Sequence, residues 1–448
     1  MSDAIKKLTK LTKMIKLDDP ELRLPWRELE SLWIEAINSR FQECRSKIKV
    51  LDQLAAKAGV NAIERLDDVV PLLFAHTAYK SYPEAFIERR RWDRMNFWLG
   101  TLSKYPIEGI DLEGVSDADD WIARLHAAGH AVFATSGTSG KNSFINQTVG
   151  DVEFANNATV RRLMLKAQRY PIFILGPRHA PNRPSMICNH LVDNYGRPGA
   201  VYFLSNETLK ITDLSEMARM RRRIGEGTAA PSDIAKYEEA IKARRQTANA
   251  SFTHITEAII SHRHEPSIIF GLTPQLYSVV EAARAQGLAD GCFHPDTVVA
   301  TGGGAKGVNL PADHVDQIMR FMGLKLERFV QGYGMQEVST GADIVEPGRY
   351  EFQPWIVPLL LDDSGERLNP GRSGRQTGRM ALFDVSIDGR WGGIISGDRV
   401  VLDYDPSPSG RHGPAVLEIG RYSELQGGDD KLTCAGTIES FVRGAVDA

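Results

Sequence analysis

The stretch Thr135-Ser136-Gly137-Thr138-Ser139-Gly140-Lys141 crowds hydroxyls, two glycines and a lysine behind the short apolar run that ends at Phe133-Ala134. That composition suits a phosphate: glycines let backbone N–H groups turn toward an anion, hydroxyls donate to it, and the lysine adds a mobile positive charge. The plain alternative is a polar turn, so the stretch needs support from elsewhere in the chain. Thr301-Gly302-Gly303-Gly304-Ala305 also follows an apolar run and leaves bare backbone that can lie flat against a planar ligand, although a strand-to-helix turn needs glycine anyway. Gln331-Gly332-Tyr333-Gly334-Met335-Gln336-Glu337 joins an aromatic ring to a carboxylate, and alone reads as a buried tyrosine with a surface acid. Ser396-Gly397-Asp398 offers a carboxylate whose two oxygens can each accept one hydroxyl proton, in what is otherwise an ordinary Gly-Asp turn.

The phosphate loop of nucleoside triphosphatases is excluded. Its first glycine would fall on Thr135, and the hydroxyl it requires after the lysine falls on Asn142. A kinase or phosphatase built on this loop is disfavoured for that reason and for want of a paired metal-binding aspartate motif.

The elements that must position these stretches follow from period and punctuation. Trp26, Leu29, Leu32, Trp33 and Ile37 fall at helical steps in a lead-in from Asp18 to about Leu112, in which Arg89-Arg90-Arg91 reads as a solvated face. A helix is expected from Ser116, capped by its hydroxyl with Asp119 reciprocating, through Trp121, Ile122 and Leu125 to Gly129. It feeds a strand, Ala131 to Ala134, which would set the glycine loop at the carboxyl edge of a sheet, where open α/β folds bind ligands. Apolar runs at 172–175, 201–204, 268–270, 298–300 and 329–330 alternate with helical stretches, which means a largely parallel sheet. One helix is predicted from Thr273 as cap, with Pro274 in its first turn, to Gly287, and another from Pro311 to Gly323. The polar stretch from Asn206 to Thr253, with Arg219, Arg221, Arg222 and Arg223, reads as an exposed helical excursion, against a minority reading in which the arginines meet the phosphates of a second substrate. After Asp343 the runs become strand-like between glycine-rich turns, giving an antiparallel or barrel-like subdomain.

The 448 residues suffice for a large core, and 42% hydrophobic with 25% charged residues is ordinary for a globular protein. A net charge of −3 carries no sign of nucleic-acid binding. Cys44, Cys188, Cys292 and Cys434 lack metal-ligand spacing and read as reduced thiols. The lysine-rich N-terminus lacks the apolar core of a signal peptide, and no apolar run approaches a membrane span, so a cytoplasmic location is expected.

Taken together, these stretches and Gly420-Arg421 resemble the motifs of the adenylate-forming superfamily of acyl-CoA ligases, adenylation domains and luciferases. Phenylacetate-CoA ligase-like and acyl-protein-synthetase-like members are the nearest in pattern. The loop Thr135 to Lys141 is similar to its phosphate loop, Gly303-Gly304-Ala305 to its adenine-side segment, Tyr333-Gly334-Met335-Gln336-Glu337 to Tyr-Gly-x-Thr-Glu, Ser396-Gly397-Asp398 to Thr-Gly-Asp, and Gly420-Arg421 to its hinge Gly-Arg. The resemblance implies ATP and Mg2+ as the nucleotide and metal. Lys141 with the loop residues Thr135, Ser136, Gly137, Thr138, Ser139 and Gly140 would hold phosphate, and Gly302, Gly303, Gly304 and Ala305 would lie beside adenine and the acyl group. Tyr333 and Gly334 would wall the adenine, Gln336 would meet the α-phosphate, Glu337 would hold the metal, and Asp398 and Arg421 would take the ribose side. Phe270, Gly271, Pro274, Gly303 and Gly332 would line the acid pocket. Lys141, Glu337 and Arg421 are the expected catalytic set, acting on a small carboxylic acid whose acyl group passes to coenzyme A or a carrier-protein thiol. The implied fold is α/β: a large domain of mostly parallel sheets flanked by helices with a β-barrel-like subdomain, divided as 1–115 helical lead-in, 116–342 nucleotide- and acyl-binding core, 343–420 β-rich subdomain and 421–448 hinge. Family members continue past the hinge into a small mobile domain bearing a catalytic lysine, and here Asp429-Asp430-Lys431 is the nearest match to the hinge. The expectation is a small domain truncated or absent, and the alternative is a non-catalytic ATP- or acyl-adenylate-binding protein.

Overall fold

Continuous apolar runs explain the parallel strands. In the computed structural model, which describes residues 1–10, 26–135, 141–302, 308–406 and 413–424, five parallel strands run in the order Phe329–Tyr333, Val298–Gly302, Ile268–Gly271, Tyr170–His179 and Gly196–Thr208. Phe173, Leu175, Ile269 and Val299 point to one face and pack with Leu276, Val279 and Val280 of the Thr273–Ala285 helix and Ile318, Phe321 and Met322 of the His314–Met322 helix. Ile172, Ile174, Ile268 and Val298 point to the other and pack with Leu191, Val160 and Leu163. Strands buried on both faces have to be apolar throughout, which is why these runs read as continuous. Each fully buried branched side chain contributes roughly 1.5–3 kcal/mol relative to exposure.

These strands belong to a unit made of Ser136–Asn142 and Thr159–Gly334. The polar excursion expected between Asn206 and Thr253 is helical over Ile211–Gly225 and Pro231–Ser261, and its side chains are mostly exposed until Ile255, Ile259 and Ile260 enter the core. Thr273 opens its helix but does not cap it. Its hydroxyl lies 3.1 Å from that of Thr301, and the Gln275 side-chain oxygen accepts from the Leu272 N–H at 2.9 Å instead.

The other unit comprises Met1–Thr135, Ser143–Ala158 and Met335–Ala448. Its antiparallel strands run in the order Ile356–Leu361, Arg375–Asp384, Gly393–Asp403, Ala415–Arg421, Arg349–Glu351 and Ala342–Glu346. The short strand Phe74–Ala75 pairs in parallel with Ile394 and Ile395. Helices Trp26–Cys44, Lys49–Ala58, Trp92–Thr101 and Ala118–Ala127 also belong to this unit. The last of them begins one residue later than the capping pattern predicted: Asp117 accepts from the Asp120 N–H at 2.9 Å, and Asp120 reaches back to the Ser116 N–H at 3.1 Å.

One expectation is overturned here. His130–Ala134 is not a strand of the parallel sheet; it pairs antiparallel with Phe144–Thr148 as a two-stranded ribbon, Ala134 opposite Phe144. The pattern of helix, apolar run and glycine loop is common to both arrangements, and only the partner strand distinguishes them. Aromatic packing fixes the ribbon: Phe144 meets Tyr82 at 5.4 Å and Trp121 at 5.1 Å between ring centroids. The Trp121 indole N–H donates to Asn96 at 2.7 Å, as a buried indole requires. Among the described residues no helix is long and apolar enough to cross a membrane.

Candidate active site

In the parallel unit, the carboxyl ends of three neighbouring strands bring five of the expected residues together. Register pairs Phe270 with Ala300, Gly271 with Thr301 and Gly302 with Gly332, so Phe270, Gly271, Gly302, Gly332 and Tyr333 share one sheet edge, the position at which open α/β sheets take ligands. Two of the glycines have different reasons to be there. A Cβ on Gly271 would lie 2.8 Å from Leu175 Cδ1 and 2.9 Å from its Cβ, so packing forbids a side chain. A Cβ on Gly302 would meet nothing within 4 Å, so packing does not require this glycine. Tyr333 is buried, Gly334 is exposed, and Pro274 sits in the first turn of the helix that follows Gly271.

Lys141 and Asn142 belong to the same unit. Lys141 is half-buried, and Asn142 donates to the Ser215 hydroxyl at 2.7 Å, which in turn donates to the Ile211 carbonyl at 2.8 Å. In the other unit Thr135 closes the mouth of the ribbon: its N–H donates to the Ser143 carbonyl at 3.0 Å and its hydroxyl accepts from the Ser143 N–H at 3.2 Å. Ser136, Gly137, Thr138, Ser139 and Gly140 lie outside the described residues, as do Gly303, Gly304, Ala305 and Asp429-Asp430-Lys431.

The antiparallel unit gathers the charged members. Asp398, 8% exposed, lies opposite Arg421 in the strand register, and the guanidinium Nε stands 3.6 Å from Asp398 Oδ1 while most of the arginine remains exposed. The Asp398 N–H donates to the Ser396 hydroxyl at 3.1 Å, which fixes the turn. Glu337 is 9% exposed, and burial pushes its carboxyl above the usual carboxylate range. A hydrogen bond from its own backbone and the charges of Arg390 and Lys80 oppose that shift, whereas the charge of Asp398 adds to it. Glu337 and Asp398 therefore feel one another, and a cation placed beside Glu337 would relieve both burial and repulsion. Gln336 has its side-chain oxygen buried with no hydrogen-bond partner among the described residues.

Among the described residues no three acidic, histidine or cysteine side chains gather into a metal cage. One buried carboxylate is nonetheless the donor set that suits magnesium, which keeps much of its water and takes other ligands from a nucleotide's phosphates. Sequence reasoning missed Arg390, Tyr79 and Lys80. The signal that could have found Arg390 is its place in a turn unusually dense in glycine, Asp388-Gly389-Arg390-Trp391-Gly392-Gly393.

These strand orders define a mixed α/β fold. No family model matches the sequence, and no curated protein matches it. Among solved structures, the chain is similar to 2-hydroxyisobutyryl-CoA ligase in an open conformation with 2-HIB-AMP and CoA, with a TM-score of 0.55 at 13% identity over 90% of this chain and 77% of that one. The same ligase in its postadenylation state with R3-HIB-AMP gives 0.55 at 13% identity over 90% and 70%. In the thioesterification state with 2-HIB-AMP and CoA it gives 0.53 at 13% over 89% and 69%. At this identity the likeness is one of fold.

Proposed function

We propose that this protein activates a small carboxylic acid with ATP as an acyl-adenylate and then passes the acyl group to a thiol. A carboxylate oxygen of the acid attacks the α-phosphorus, the bond from that phosphorus to the bridging oxygen breaks, and pyrophosphate leaves with the electron pair. A thiolate then attacks the acyl carbon, and AMP leaves as the acyl C–O bond breaks. The observation that carries the proposal is the meeting, within one unit, of Glu337, Asp398 and Arg421 from three separate stretches of sequence. Coenzyme A is the proposed thiol, supported by the CoA held by the 2-hydroxyisobutyryl-CoA ligase structures.

Asp398 would hold the ribose hydroxyls, with Arg421 beside it on the phosphate side. Tyr333 would wall the adenine, Gly302 would let the ligand lie close to the backbone, and Phe270, Gly271, Pro274 and Gly332 would border the acid. Lys141 and the 135–140 stretch would draw off charge from the departing pyrophosphate. Glu337 would hold Mg2+, which when bound neutralises phosphate charge. Catalysis of this kind is mainly positioning and charge compensation. A panel of aliphatic, aromatic and amino acids, screened for pyrophosphate release with and without coenzyme A, tests the proposal. Release that depends on one class of acid, with a CoA thioester formed when coenzyme A is added, is expected. Absence of release across the panel, together with absence of ATP binding, would overturn it.

A further inference from the structure

The turn at 388–393 is built with more care than a connection between two antiparallel strands needs. The Asp151 carboxylate accepts from the N–H groups of Asp388 at 2.8 Å, Gly389 at 2.9 Å and Thr148 at 2.9 Å. The Asp388 carboxylate accepts from Lys104 at 2.5 Å, Arg40 at 2.9 Å and the Tyr105 hydroxyl at 2.5 Å. A Cβ on Gly389 would come within 2.9 Å of Asp151 and Thr148, one on Gly392 would run into the Asp384 carbonyl, and one on Gly393 would lie 2.8 Å from Leu73. Gly389 and Gly392 therefore face backbone that leaves no room for a side chain, whereas at Gly393 the end of Leu73 would have to move.

What that shape presents is a guanidinium. Arg390 is 1% exposed. Its Nη1 donates to the Tyr79 hydroxyl at 3.0 Å and the Trp391 carbonyl at 3.1 Å, its Nη2 donates to the Glu337 carbonyl, and the group lies 5.3 Å from the Tyr79 ring centroid. Among the described residues no carboxylate pairs with Arg390 in a salt bridge, and a buried cation so placed is costly unless its charge is used. Its charge acts on the Glu337 carboxylate, whose backbone carbonyl it also holds. Downstream of Glu337 the chain is pinned as well: the Ser339 N–H donates to Asp384 at 2.5 Å, and the Trp355 indole donates to the Ser339 and Thr340 hydroxyls, each at 3.1 Å.

We infer that Arg390 is a positioning residue for Glu337, locking the backbone and the field that present this carboxylate to a magnesium–polyphosphate. The inference rests on the functional reading above and adds a residue to it. A lysine in its place keeps the charge but loses the planar fork that holds Tyr79 and the Glu337 carbonyl at once.

Titration calorimetry of the full chain with ATP at fixed Mg2+, and separately with AMP in EDTA, tests this assignment. By analogy with other outer partners of metal ligands, Arg390→Lys weakens magnesium-dependent ATP binding at least ~10-fold and leaves AMP binding within about twofold of wild type. Tyr79→Phe removes one anchor of the guanidinium and gives a smaller loss in the same sense. It decides the matter if Arg390→Lys does not fold. Two outcomes overturn the assignment: wild-type affinity for magnesium ATP in the folded variant, or equal losses for ATP and AMP, which would mark a purely structural arginine. A wild-type chain that binds no ATP overturns the functional reading itself, and with it this assignment.

Discussion

The two units hold their site residues by different physics. In the parallel unit the candidate residues are backbone, with Gly271, Gly302 and Gly332 at strand ends that apolar packing on both faces keeps in place. In the antiparallel unit they are charged: Arg421 approaches Asp398, and the buried Arg390 donates to the Glu337 carbonyl. Dispersion and burial tolerate a single defect locally, because each contact is small. A buried ion pair does not, because removing one partner leaves the other uncompensated. The units should therefore fail differently.

The largest stability loss is expected in the charged unit. Asp388→Asn leaves Lys104 and Arg40 buried without their shared counter-ion, although Glu43 still lies 3.3 and 3.1 Å from them. Because Asp388 is partly exposed and Glu43 remains, chemical denaturation should show a cost near the upper end of about 1.5–3 kcal/mol, the range for hydrogen bonds to charged groups. In the wild type burial raises the Asp388 carboxyl, but hydrogen bonds from Lys104 and Tyr105 and the charges of Lys104 and Arg40 hold it below its ordinary value. Its contribution is therefore present above the unfolded carboxylate pKa and fades as pH falls through the lowered folded one.

An intermediate effect belongs to the parallel unit. Gly271→Ala pushes a methyl into Leu175, and overpacking of this kind costs about 1–3 kcal/mol of unfolding free energy in denaturant melts. If this variant proved more damaging than Asp388→Asn, the contrast between the units would be wrong.

The smallest effect sharpens the comparison, because it is a charge cluster in the apolar unit. Glu265 accepts from Arg197 at 2.7 and 3.0 Å and from His262 at 2.6 Å, and the Arg197 hydrogen bond, then that of His262, takes its carboxyl down to about 2. The folded value is depressed, so the stabilisation is full above the ordinary value of 4.5 and is lost as pH falls through about 2. The carboxylate is 37% exposed, and solvent screening reduces the benefit to about 1 kcal/mol or less. Glu265→Gln should show that deficit at pH 7 in urea melts and lose it in strong acid.

What could be read from the sequence follows the same division. The strand-end glycines and the continuous apolar runs are local signals, visible in a few residues, and the parallel strands at 172–175, 268–270 and 298–300 lie where those runs stand. The charged platform is not local: Lys104 and Asp388 are 284 positions apart, and Arg390 and Tyr79 are 311 apart. A charged residue looks solvated until its partner is known, which is why Arg390 was passed over. The ribbon at His130–Ala134 was misplaced for a related reason, since an apolar run states that a strand exists without naming its neighbour. Asp398 and Arg421 were legible as two short matches, whereas their pairing across the sheet is a matter of register.

The claim that Glu337 and its neighbours activate a carboxylic acid is tested most directly by acid-dependent exchange of labelled pyrophosphate into ATP, measured on wild type and Glu337→Gln. The account predicts exchange by the wild type with at least one class of acid and a loss of roughly 10²-fold or more in a variant that melts as the wild type does, as expected where a charge-stabilising group is removed. Exchange that survives the substitution unchanged would contradict it.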